Sequence, residues 1–362
     1  MEYIAPRWLP GGNLQTIWAA RLARRAPPAG LRRERWDTPD GDFVDVDFSA
    51  PAAAPAAALP EAPMLVLFHG LEGSSASPYA LGFAAWARAR GWDFAVPHFR
   101  GCSGEINRAP RAYHSGDFAE VGWMLRRLRA GRARPLLAVG VSLGGNALLR
   151  WAEEAGEAAA ATAAAVAAVS APVDLAASGH AIDSGFNRRV YARMFLGTMK
   201  PKALRKWDQF PGLFDRDRML AARTLHDFDD AFTAPLHGFA GVDDYWTRAS
   251  AKPGLDRIRV PALVLNARND PFVPARSLPG PDRAGRWVTL WQPAHGGHVG
   301  FPLGRPPGHL RGLPEAVGGW LEAHAGAAAT GAPAAAAATA TAAATDGRLP
   351  AGAVPAPESS HG

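Results

Sequence analysis

Residues 136–149, LLAVGVSLGGNALL, constrain this chain more than any other stretch. An apolar run, Leu136 to Val139, enters Gly140-Val141-Ser142-Leu143-Gly144, and Gly145, Asn146 and the helix-favouring Ala147-Leu148-Leu149 follow. The order predicts a strand, a tight turn with a serine at its tip, and a helix. A serine on such a turn sits in a strained backbone conformation, and its neighbours must be small for strand and helix to pass each other. Gly140 and Gly144 stand at the two positions where side chains would collide. The turn lifts the hydroxyl above the sheet edge and brings the free N–H groups of a helix N-terminus beside it.

The chain around this turn has 362 residues, room for one large α/β domain or two small ones, and its 48% apolar content supports a substantial core. A single cysteine, Cys102, excludes an intrachain disulfide framework and a cysteine-based metal site, and suits a reducing compartment. The net charge of +6 raises nucleic acid or an anionic membrane surface as partners. The basic residues are nearly all arginine and are scattered, apart from Arg21-Arg24-Arg25 and Arg32-Arg33-Arg35. With no recognition motif beside them, nucleic acid is not expected; a transient contact with a membrane surface stays open. The N-terminus lacks a basic start followed by an apolar core, so no signal peptide is read, and no apolar run outside Ala-rich sequence is long enough to span a bilayer. The expected location is the cytoplasm.

Taken in order, residues 1–30 are irregular, with a short helix expected over 12–23, capped by Asn13. Residues 35–48 alternate around Pro39-Asp40-Gly41-Asp42, the pattern of a hairpin. A Pro/Ala loop fills 50–63. The continuous apolar run 64–68 reads as a buried parallel strand, ending in His69-Gly70-Leu71-Glu72-Gly73. Strands are expected at 92–97, 134–139, 164–170, 262–265 and 287–291, with helices over 79–90, 117–129, after Ser142, and 313–324. Residues 174–250 interrupt the alternation; they are rich in aromatic and charged residues and read as a helical cap inserted after the sixth strand. From 325 the sequence is Ala, Thr, Pro and Gly, expected to be a disordered tail, which leaves 1–324 as the domain. Strand–helix alternation over this length predicts a mainly parallel sheet with helices on both faces and ligands at the carboxyl ends of the strands.

A serine hydroxyl is a weak nucleophile until a base takes its proton, and the base is commonly a histidine held by a carboxylate. Asp270 follows the apolar strand 262–265, and His298 lies in a Gly-rich loop after the last strand. With Ser142 they keep the chain order serine, acid, histidine, each after its own strand. His295 is the alternative base and Asp282 the alternative acid. His298 is preferred because it leads into Val299-Gly300-Phe301, an apolar anchor for the ring; Asp282 has no strand before it. An oxyanion needs two backbone donors: Leu143, next after the serine, and Leu71, in the loop after the 64–68 strand. His69 reads as a structural loop residue and Cys102 as a small filler in a Gly-rich turn. No cluster at metal-ligand spacing and no cofactor motif appears, so neither metal nor cofactor is implied.

Six segments, WLPGGNLQTIW (8–18), HGLEGSS (69–75), RGCSGEINRAPRAYHSGD (100–117), GVSLGGN (140–146), NDPFVP (269–274) and HGGHVGF (295–301), together resemble the YheT-like α/β-hydrolases, a group similar to eukaryotic abhydrolase-domain lipases and carboxylesterases. The resemblance covers about residues 1–324. It implies an α/β-hydrolase fold and a carboxylic ester hydrolase with Ser142 as nucleophile, Asp270 as orienting acid and His298 as base. The N-terminal membrane anchor of the eukaryotic group has no counterpart in this sequence. The expected substrates are short- or medium-chain acyl esters, monoacylglycerols among them. Acyl transfer or amide cleavage on the same fold, or a scaffold without catalysis, are the competing readings.

Overall fold

Eight strands form one sheet in the order β1-β2-β4-β3-β5-β6-β7-β8. The computed structural model describes residues 3–23, 26, 30–49, 63–133 and 136–330. The Pro/Ala loop at 50–62 and the tail beyond 330 lie outside the described residues. β1 (Arg32–Asp37) and β2 (Phe43–Ser49) form the expected hairpin, pairing Asp37 with Phe43, and β2 runs antiparallel to β4 (Asp93–Pro97). β3 (Met64–Phe68), β4, β5 (Leu136–Val141), β6 (Ala163–Val169), β7 (Ala262–Leu265) and β8 (Val288–Trp291) are all parallel.

The apolar runs are continuous because both faces of the sheet are covered. Met64, Val66 and Phe68 of β3 pack with Val121, Met124 and Leu125 of α3 (Phe118–Arg129) and with Leu148 and Leu149 of α4 (Leu143–Ala155). Leu65 and Leu67 point the other way, onto Phe83 and Trp86 of α2 (Pro78–Ala89) and onto Val317 and Trp320 of the last helix, Gly312–Thr330. That helix runs on past residue 325, where the sequence led us to expect a tail: alanine favours the helix even where little is left to bury.

Between β6 and β7 the chain leaves the sheet and builds the expected cap. Its helices include Leu175–Ile182, Arg193–Gln209 and Val242–Ala249, with their own apolar core around Leu196, Phe214, Phe228 and Phe232. At the other end of the chain, α1 (Gly12–Arg21) starts one residue after Gly11, which holds the N-cap position in place of Asn13. The Asn13 side chain instead accepts a hydrogen bond from the Tyr191 hydroxyl of the cap, at 2.9 Å. No helix among the described residues is long and apolar enough to cross a membrane.

Candidate active site

Ser142 follows β5 at the N-cap of α4 with φ 53° and ψ −120°, a conformation costly for any residue with a Cβ. The sheet and α4 impose it. The Ser142 N–H donates to the Val169 carbonyl of β6 at 2.8 Å, and its own carbonyl accepts from Gly145 and Asn146. A Cβ on Gly140 would stand 2.3 Å from the Gly144 carbonyl oxygen, and one on Gly144 would stand 2.5 Å from the Phe68 and His69 oxygens. Asn146 ties the turn to its surroundings: its side chain donates to the Ser115 and Ala249 carbonyls and accepts from the Ala251 N–H.

His298 Nε2 lies 3.0 Å from Ser142 Oγ, and His298 Nδ1 lies 2.9 Å from Asp270 Oδ2. The Asp270 side chain is fully buried, and its second oxygen accepts the N–H groups of Phe272 and Val273, so it faces the imidazole in one orientation only. The alternatives lie elsewhere. His295 is exposed and its ring meets the Asn269 side chain. Asp282 is exposed, with the neighbouring Arg283 as its ionic partner.

His298 is held from directions the sequence did not reveal. Its ring packs against Phe272, with centroids 4.3 Å apart, whereas Phe301, expected as the anchor, is buried beside Trp291 and Tyr3 and anchors the loop. The His298 N–H donates to Thr16 Oγ1, at 2.8 Å, and the Val299 N–H to Ser170 Oγ, at 3.1 Å. Gln15 is buried in the same seam; its Oε1 accepts from Gly296 N–H and from the Asn269 side chain. The segment around α1 thus clamps the loops carrying both Asp270 and His298.

Leu71 and Leu143 both border the serine, and among the described residues neither N–H donates to a protein acceptor. The loop bearing Leu71 is fastened at several points. Gly70 N–H donates to the Tyr79 hydroxyl, and His69 donates from Nδ1 to the Gly70 carbonyl while its Nε2 accepts from Phe99 N–H. Burial, with His98 nearby, pushes the His69 imidazole down to about 3, so it stays neutral and structural. Glu72 has φ 56°, and its N–H donates to the Tyr113 hydroxyl. The Glu72 carboxylate accepts from that same hydroxyl and from Lys202 Nζ on the cap, both at 2.9 Å. Cys102 is buried nearby, and burial raises its thiol to about 11, which leaves it protonated and inert at neutral pH.

Two cavities meet at the serine and histidine. The first, about 150 Å³, lies under the cap, walled by Leu175, Ile182, Phe195, Met199, Phe228 and Phe232, and touches both Leu71 and Leu143. The second, about 410 Å³, opens between α1 and the cap, past Thr16, Ala20, Tyr79 and Val190. The sheet order, the serine on its turn and the inserted cap define an α/β hydrolase, and the family described as "alpha/beta hydrolase fold" matches residues 63–304. The chain belongs to that family. It is 40% identical over 328 residues to "Putative esterase YheT" of Escherichia coli (strain K12), spanning 89% of this chain and 94% of that protein. It is 29% identical over 280 residues to "Phospholipase ABHD3" of Mus musculus, spanning 76% and 67% of the two chains. Among solved structures, Est1E from Butyrivibrio proteoclasticus superposes with a TM-score of 0.50 at 14% identity, over 81% of this chain and 98% of that one, a likeness of fold.

Proposed function

We propose that this α/β hydrolase cleaves carboxylic esters through an acyl-enzyme formed on Ser142. The observation that carries the reading is the unbroken chain of contacts Asp270–His298–Ser142, at 2.9 and 3.0 Å, on the floor of an apolar cavity. As Ser142 Oγ bonds to the ester carbonyl carbon, His298 Nε2 takes the hydroxyl proton. Asp270 accepts the Nδ1 proton in a hydrogen bond, fixes the tautomer and stabilises the imidazolium. The carbonyl oxygen becomes an oxyanion facing the free N–H groups of Leu71 and Leu143, each of which contributes about 3 kcal/mol to the transition state. The intermediate collapses, the C–O bond to the alcohol breaks, and His298 returns the proton to the departing alkoxide. Water, deprotonated by His298, then attacks the acyl carbon and frees Ser142.

The substrate reading follows from the two cavities. The one under the cap borders both proposed oxyanion donors and is walled mainly by apolar side chains, which suits a short- to medium-chain acyl group. The second, with Thr16 and Tyr79 on its wall, suits the leaving alcohol; monoacylglycerols fall within this class. The names of the esterase and phospholipase relatives agree with ester substrates. The single, buried cysteine fits a reducing compartment, and the reading places the enzyme in the cytoplasm.

A panel of p-nitrophenyl and glycerol esters, run on wild type and Ser142→Ala, tests this. The expected result is turnover by wild type, a kcat lower by roughly 10⁴-fold or more in the variant, and fluorophosphonate labelling of Ser142. Equal turnover by both proteins, or no labelling at Ser142 in folded protein, overturns it.

A further inference from the structure

We propose that the face formed by α1 and the cap helix beginning at Gly185 docks on a lipid bilayer carrying anionic headgroups, with the mouth of the second cavity turned toward the lipid. The docking stands on surface chemistry alone; only what passes through the mouth rests on the ester-hydrolase reading.

Seven large apolar side chains are well exposed among the described residues, and five of them lie on these two elements: Leu14 and Leu22 on and just after α1, and Phe186, Val190 and Met194 on the cap. Helical turns run without a break from Gly185 through Arg188–Ala192 into Arg193–Gln209. The two elements touch where Arg21 reaches Met194 Sδ, at 3.7 Å, and Val190, Met194, Ala20 and Arg21 line the second cavity. Phe186 is 53% and Leu22 70% exposed, values that leave apolar surface in water unless something covers it.

The same helix carries Arg188, Arg189 and Arg193, all exposed, and among the described residues none pairs with a carboxylate. Residues 184–207 contain no Asp or Glu at all. The arginines of β1 behave differently. Arg33 and Arg35 are engaged by Asp47 and Asp45, so the cluster most visible in the sequence is unavailable, while the one on the cap is free. A nucleic-acid strand would engage these cations and leave Phe186, Val190 and Met194 in water. A bilayer interface engages both, with guanidinium groups against phosphates and apolar side chains beneath them.

Vesicle co-sedimentation tests the proposal, with the full chain and two compositions: phosphatidylcholine alone and phosphatidylcholine with phosphatidylglycerol. The variants are the triple change Arg188→Gln, Arg189→Gln, Arg193→Gln, and separately Phe186→Ser. Wild type, and Ser142→Ala equally, should bind the anionic vesicles in a salt-sensitive way and bind the neutral ones weakly. Each surface cation contributes roughly fivefold, so the triple variant should bind about a hundredfold more weakly. Phe186→Ser should weaken binding without changing its salt dependence. Turnover of a soluble acetyl ester, unchanged in all these arginine and phenylalanine variants, reports that they fold. Equal binding to both vesicle types, undiminished binding by the triple variant, or tighter binding of wild type to duplex DNA than to anionic vesicles overturns the proposal. Failure of Ser142→Ala to lose turnover sinks the hydrolase reading and leaves the docking result standing.

Discussion

A Cβ placed on Gly144 would stand 2.5 Å from two backbone carbonyl oxygens; one placed on Gly179, in the cap directly above, would stand 2.4 Å from the Trp246 indole. Both sites are crowded, but the neighbours differ in kind. Around Ser142 the obstacles are main-chain atoms of β3, β5 and α4, which cannot turn aside. Over the cavity they are side chains: Trp246, Phe228, Phe232, and the Lys202–Glu72 ion pair that joins cap to floor. The contrast separates two jobs. Main-chain geometry fixes where the Ser142 hydroxyl stands, and side chains that can be exchanged shape the cavity above it.

The largest expected effect lies on the floor. Asp270→Asn should lower kcat by about 10⁴-fold in steady-state assays with little change in unfolding midpoint. The asparagine oxygen can still accept from Phe272 and Val273, but its amide would face Nδ1, force the proton onto Nε2 and leave nothing to accept from Ser142. A modest loss would show that the acid is not the orienting group.

Gly144→Ala should cost about 3 kcal/mol in urea unfolding, because backbone must shift, and Gly179→Ala nearer 1 kcal/mol, because an indole can be displaced. The cap variant should also move acyl-chain preference toward shorter esters. If the two variants lose the same stability and the same activity, the division between floor and roof fails.

Lys202→Met cuts the tie between them. With Glu72 freed, the Leu71 loop should loosen, and kcat should fall roughly tenfold, part of the loss that deleting an oxyanion donor brings. KM should change less, Lys202→Arg should restore most of the rate, and a trifluoromethyl ketone inhibitor should weaken in parallel with kcat. Unchanged inhibitor affinity would place the ion pair outside the reaction.

The smallest effect concerns acid. Burial would raise the Asp47 carboxyl, but hydrogen bonds from Arg33, His98 and Ser75 outweigh it and hold it far below the ordinary carboxylate value of 3.8. The folded carboxyl then takes up a proton less readily than the unfolded one, so acid favours unfolding. The stability it contributes is complete above about pH 4 and is lost as pH falls below that value. Urea midpoints from pH 7 to pH 3 should drop over the acid end, and Asp47→Asn should flatten the drop.

Most of the floor is legible in the sequence because its signals are short-range. The strand, serine turn and helix occupy adjacent residues, and β7 and β8 deliver Asp270 and His298 within a few residues of their ends. The cap as a place is legible too, from the interrupted alternation. What escapes is whatever depends on partners far along the chain. The Thr16 hydroxyl and the His298 N–H are 282 residues apart, and the Lys202 ammonium and the Glu72 carboxylate are 130 apart. Asn13 has the right chemistry for a helix cap, and only the position of Tyr191 explains why it serves another bond. Phe272, next after Asn269-Asp270-Pro271, carries no local signal that the imidazole packs against it.

The clamp made by Gln15 and Thr16 has a consequence for anyone who cuts or recombines this protein. The span that defines the family starts at residue 63, so the helix steadying the imidazole belongs to none of it. A chimera that grafts a relative's opening segment onto this hydrolase body could fold around an intact sheet and still hold its histidine loop too loosely to work. Part of what steadies the His298 loop is thus carried outside the span by which the family is recognised.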